Sequence, residues 1–138
     1  MTVHRVGVLD TNAVVLLDRL TADDLPAQPT ITSVTLAELS VGPLVTDDPV
    51  ERAARQARLQ ETENAFDPLP FDAAAARAFG RVAADLRRGG RQVQARAFDA
   101  LIAATAIAND LPVFTCNPRD FAGIDALTVV PVPHPDGD

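Results

Sequence analysis

The sequence has 138 residues, with 12 Arg, no Lys and 19 acids, so its formal net charge is −7. With 47% apolar and 22% charged residues it is a folded globular chain, and its length suits one domain with no room for a second. A single Cys excludes an intrachain disulfide and a multi-cysteine zinc site, and with no Trp or Tyr the core must be aliphatic.

Residues 3–9 are short, Val-rich and end at the charge of Asp10, the pattern of a buried strand. Val14, Val15, Leu17 and Leu20 follow at helical spacing, which predicts a helix over 12–20. PTITS, 29–33, is a second short strand, and Ser33 is placed to cap a helix carrying Leu36, Ala37, Glu38 and Leu39. VGP at 41–43 weakens or ends that helix. Asp47 or Asp48 then caps another, with Pro49 at its first position and Glu51 in its first turn. DPLPF, 67–71, is an extended link. Asp72 caps an Ala-rich helix that runs to Arg88 and stops at Gly89 and Gly90. The densest helical pattern, 95–110, ends in Asn109 and Asp110. LPVFTCN, 111–117, is a further buried strand, PRDF a turn or short helix, and LTVVPV, 127–132, the last strand.

Strands alternating with helices imply an α/β layer fold around a largely parallel sheet. One domain over 1–132 is expected, with a frayed tail over 133–138. No signal-peptide pattern opens the sequence, and no apolar run approaches the roughly 18 residues of a membrane span. Cytoplasmic residence, away from any membrane, is the expectation.

Ligands of open parallel sheets sit beyond the carboxyl ends of the strands. Asp10 ends the first predicted strand, and Asp120 lies just past the strand over 111–117, with Asn117 between. Glu38, within VTLAELSV, and Asp99, within AFDALIAATAIA, interrupt stretches otherwise nearly free of charge. Each acid has an ordinary explanation. Asp10 and Asp99 could cap helices, Glu38 could pair with an Arg across the core, and Asp120 could be a turn residue. Four such coincidences in a small domain are less economical than one shared partner. Buried carboxylates are costly unless stabilised together, and oxygen ligands from Asp, Glu and Asn suit Mg²⁺ or Mn²⁺.

Six arginines, Arg77, Arg81, Arg87, Arg88, Arg91 and Arg96, fall in one short segment. A solvated helix face explains most of them, and a local phosphate-facing patch is the sharper alternative. The overall negative charge argues against tight nucleic-acid binding.

VLDTN (8–12), SVTLAELSVG (33–42), FDALIAATAI (98–107) and TCNPRDF (115–121) resemble, in order, the four motifs of PIN-domain ribonucleases. More narrowly they resemble the VapC toxins of bacterial toxin–antitoxin pairs, and the resemblance spans nearly the whole chain. It implies a three-layer α/β/α sandwich with a mostly parallel sheet, Mg²⁺-dependent endoribonuclease activity (Mn²⁺ substituting), RNA as substrate, a VapB-like antitoxin and a homodimer. Asp10, Glu38 and Asp99 then correspond to the core acids, and Asp120 to the later acid of the fourth motif. All four would serve metal and catalysis. Thr11, Asn117, Arg87, Arg88, Arg91 and Arg96 would meet the substrate. Asn117 stands where many members have Asp, and Cys116 where a basic residue is common.

Other classes fit less well. A haloacid-dehalogenase-like phosphatase needs an acid at position 12, which is Asn12. Receiver domains and P-loop proteins depend on a Lys that this chain lacks. The remaining alternative is a PIN-fold protein with weak catalysis, acting through RNA or antitoxin binding alone; Asn117 is the feature behind it.

Overall fold

Residues 5–137 are described by the computed structural model, in which four short strands form one parallel sheet in the order β2-β1-β3-β4. The strands are β1 (Val6–Leu9), β2 (Gln28–Thr30), β3 (Val113–Thr115) and β4 (Val129–Pro131). Val3 and His4, at the start of the first expected strand, lie outside the described residues. The helices are α1 (Thr11–Val15), α2 (Ser33–Val41), α3 (Pro49–Ala65), α4 (Ala73–Arg88) and α5 (Ala97–Ala108).

Successive side chains of a strand face opposite sides of a sheet, and here each side has its own helices. Val8 and Val113, which are register partners, pack with Val82 and Leu86 of α4 and with Ile102 and Ala106 of α5. Leu9 and Phe114, the next pair, pack with Val14 of α1, Leu39 of α2 and Leu59 of α3. Helices therefore cover both faces, as a parallel sheet requires. This is the α/β/α sandwich that the sequence implies. Gly7 permits the close fit of β1 on β3: a Cβ there would meet the Phe114 ring at 2.4 Å.

Helix α5 is buried along most of its length because its small residues, Ala100, Ala103, Ala104 and Ala106, let α4 come close. On α4 the buried positions Ala75, Ala78, Val82 and Leu86 form one stripe. The expected signals at its ends hold: Asp72 accepts a hydrogen bond from the Ala75 N–H, and Gly89 follows the last turn. Asp48, with Pro49 behind it, starts α3.

Two local expectations are corrected. The cap of α2 is Thr32 and not Ser33; the Thr32 hydroxyl accepts from the Thr35 N–H at 3.4 Å. The helix expected over 12–20 is α1 followed by a separate 3-10 turn, Leu17–Arg19, with the backbone leaving helical angles at Leu16. At the carboxyl end of α5, Asp110 takes a positive φ of 55°, which Asp tolerates better than most residues. Near the end of the chain Arg19 forms an ion pair with Asp136. No helix among the described residues is long and apolar enough to cross a membrane.

Candidate metal centre

The carboxyl ends of β1 and β3 lie side by side, and that juxtaposition builds the site. Asp10 follows β1 directly, is only 3% exposed, and is fixed by two donors. Its Oδ1 accepts from the Ala13 N–H at 2.9 Å, so Asp10 does cap α1. Its Oδ2 accepts from the Thr115 hydroxyl at 2.6 Å, across 105 positions of sequence. Capping and membership of the acid cluster are therefore not alternatives. The Thr115 oxygen also accepts from the Asn117 N–H at 2.9 Å, which ties the fourth motif to the first acid.

Glu38 reaches the same side from α2. Its Oε1 accepts from the Thr11 hydroxyl at 2.6 Å, and Thr11 is 3.0 Å from the hydroxyl of buried Thr35. The partner of Glu38 is thus a threonine and not an Arg. Asp99 lies in the first turn of α5, one turn past the capping position held by Arg96, so it is not a cap. Asp120 lies in the 3-10 turn Pro118–Phe121, and its Oδ1 accepts from Arg96 Nη1 at 2.6 Å.

The charges of these acids reach one another. Burial first, then the charges of Asp120, Asp10 and Glu38, push the Asp99 carboxyl up to about 6, with Arg96 pulling the other way. Burial also raises Asp10; its hydrogen bonds from Thr115 and Ala13 oppose that, and Asp120 and Glu38 add to it. Glu38 is raised by burial and lowered by its bond from Thr11. Asp99 and Asp10 thus both feel the charges of acids far away in sequence, which an isolated cap or turn residue would not.

A divalent cation answers this arrangement in kind and in charge. The candidate donors are all carboxylate oxygens, and the one arginine paired among them, Arg96, meets Asp120. The arrangement is not closed, however. Among the described residues, no three Asp, Glu, His or Cys side chains stand where they could hold an ion together. Asp10 and Glu38 are turned to threonines and Asp120 to an arginine. Each carboxylate oxygen has a second lone-pair direction, so these bonds leave coordination capacity in place.

The arginines predicted to meet substrate are dispersed. Arg87 is exposed at the end of α4, while Arg88 pairs with Asp85 on the same helix and approaches Asp125. Arg91 donates to the Arg119 carbonyl at 2.9 Å. Only Arg96 of the four reaches an acid of the crevice. Cys116 is partly buried, and burial and Asp10 hold its thiol above its ordinary value, so it is no reactive thiolate. Sequence reasoning missed Thr115 and Thr35. Their only local signal is a hydroxyl in an otherwise apolar buried run.

The PIN domain family profile matches residues 8–127, a span that takes in all four acids. Ribonuclease VapC5 of Mycobacterium tuberculosis is 37% identical over 134 residues, covering 95% of this chain and 96% of its own. The tRNA(fMet)-specific endonuclease VapC of Shigella flexneri is 36% identical over 97 residues, 70% of each chain. Among solved structures, a member of the VapBC family of toxin–antitoxin systems, VapBC-5 of Mycobacterium tuberculosis, matches with a TM-score of 0.78 at 35% identity. That match covers 93% of this chain and 99% of the other.

Proposed function

Because the chain belongs to the PIN-domain family and, within it, to the VapC ribonucleases of toxin–antitoxin pairs, we propose that the crevice of Asp10, Glu38, Asp99 and Asp120 is its catalytic centre. The reaction is endonucleolytic hydrolysis of RNA phosphodiester bonds. The observation that carries the assignment is Asp10 at the carboxyl end of β1, held by Ala13 and by Thr115 of the neighbouring strand, with the charges of Asp120 and Glu38 reaching it. Mg²⁺ is the cation assigned to these oxygens, with Mn²⁺ as substitute. When bound it would offset the repulsion among the acids, acidify a water and polarise the phosphate.

The chain's own residues do the rest. Ala13 and Thr115 fix both oxygens of Asp10, so this ligand meets an ion without losing side-chain freedom. Thr11 aims Glu38, leaving Oε2 to accept a proton from the attacking water or to hold that water in place. Asn117, held by its backbone on Thr115, offers a neutral amide to a phosphate oxygen. Each guanidinium has five N–H donors, so Arg88, Arg91 and Arg96 keep donors for RNA beyond those used inside the protein, and Arg87 is exposed. With a net charge of −7, RNA binding is weak and sensitive to salt.

The partner that goes with this reading is a VapB-like antitoxin, and a homodimer in the cytoplasm is its setting. The structural neighbour described as a VapBC pair supports the antitoxin assignment. The test uses purified protein and a panel of tRNAs, in the presence of Mg²⁺, Mn²⁺ or EDTA. Cleavage should appear only with metal, and Asp10→Asn should lower it more than about a hundredfold, beyond the usual loss for residues that merely support a metal site. Binding of RNA without metal-dependent cleavage would leave the weak-catalysis alternative in its place.

A further inference from the structure

Asp10 and Glu38 accept hydrogen bonds from threonine hydroxyls and a backbone N–H, whereas Asp120 accepts one from a cation of the chain itself, Arg96, whose charge also reaches Asp99. Arg96 lies in the 3-10 turn Gln94–Arg96, three residues before Asp99, and its Nη1 stands 2.6 Å from Asp120 Oδ1. Both side chains are about one-third exposed, 33% and 32%, so the pair is only partly screened by water. The same segment grips the same turn a second time, through Arg91 on the Arg119 carbonyl. Asp120 is thereby held as an ion-pair partner in a site whose acids do not stand as a ready coordination shell.

We propose that Arg96 is an internal counter-cation that competes with the divalent metal for Asp120, and so sets the metal concentration at which the site fills. The inference rests on the catalytic reading above. Asp120 cannot give its charge fully to both cations, and an arriving ion faces the guanidinium as a like charge. Asp120 would have to leave Arg96 in order to serve as a ligand beside the other acids. Arg96 is a positioning residue in this scheme, because its contact is with Asp120; its weaker pull on Asp99 is the part that remains when Asp120 is replaced.

The experiment measures Mn²⁺ binding to RNA-free protein by electron paramagnetic resonance, for wild type, Arg96→Gln, Asp120→Asn and the double variant. Arg96→Gln should bind Mn²⁺ about three- to tenfold more tightly than wild type. In the Asp120→Asn background the same change should make less than about a twofold difference, since the contested carboxylate is gone. Arg96→Lys keeps the charge without the planar fork, so it should show a smaller gain of the same sign. Equal or weaker binding by Arg96→Gln and Arg96→Lys overturns the proposal. A gain that persists undiminished beside Asp120→Asn also overturns it, because general repulsion would then account for the effect. Asp99→Asn separates this failure from that of the catalytic reading. Wild-type binding lost in Asp99→Asn, with no gain from Arg96, sinks the competition alone. Absence of Mn²⁺ binding in every variant sinks both.

Discussion

Asp10 and Asp120 sit in the same crevice under different regimes. Asp10 is almost fully buried and is fixed by a backbone N–H and a threonine hydroxyl from the neighbouring strand. Asp120 stands on a 3-10 turn, about one-third exposed, and is held by the charge of Arg96. The first acid is positioned by the fold and moves only if the sheet does. The second is positioned by an ion pair. The crevice thus has one arm set by packing and one held by an ion pair.

Thr115→Val tests the packed arm and should have the largest effect. It removes the donor to Asp10 Oδ2 and the acceptor of the Asn117 N–H without changing shape much. Cleavage should fall about 10- to 100-fold, and stability in urea by roughly 1–3 kcal/mol. Arg91→Gln, on the other arm, should cost less than about 1 kcal/mol, because its bond to Arg119 is exposed. Comparable losses in the two variants would erase the contrast.

Amide variants without metal sharpen it. Asp10→Asn should be destabilised by roughly 0.5–2 kcal/mol, since it sets an amide N–H against the Thr115 hydroxyl that now donates to the carboxylate. Asp99→Asn should melt higher than wild type, because it relieves repulsion from Asp120, Asp10 and Glu38. The pH dependence carries the same sign. Asp99 goes from 3.8 unfolded to about 6 folded, so between those values the native state holds more protons. Stability in EDTA should therefore fall as pH rises from about 4 to about 6, and Asp99→Asn should flatten that slope. A melting temperature that climbs through this window in wild type, and equally in the variant, would count against a raised Asp99.

The smallest effect concerns RNA. Arg87→Gln should flatten the salt dependence of binding by about one unit of slope if Arg87 meets one phosphate. Arg88→Gln should change it less, because Asp85 already pairs with that guanidinium.

The elements were legible where capping chemistry is local. Asp72 and Gly89 bracket α4, and Asp48 with Pro49 opens α3, as their spacing predicts. The strands are shorter than the apolar runs suggest: β3 keeps three residues of the seven expected, since Pro112 lacks an N–H and Asn117 already turns away. Thr32 was overlooked as a cap because it belongs to the apparent strand, yet its buried hydroxyl faces back onto α2. The acids stood out because charge is rare in their surroundings. Their partners did not, because Arg96 and Asp120 are 24 positions apart, and whether an arginine faces solvent, phosphate or a carboxylate is decided by how α5 and the fourth-motif turn meet.

The bond from Thr115 to Asp10 also has a bearing on the cell that makes this chain. A ribosome delivers Asp10 and Glu38 early, but the strand that carries Thr115 and the turn that carries Asp120 come late. Since β1 takes β3 as its neighbour, the first acid waits for a residue 105 positions further on before its second oxygen is held. Copies still being translated, and those cut short before position 115, lack the assembled crevice. The crevice is assembled only after the strand and turn that close it have been made.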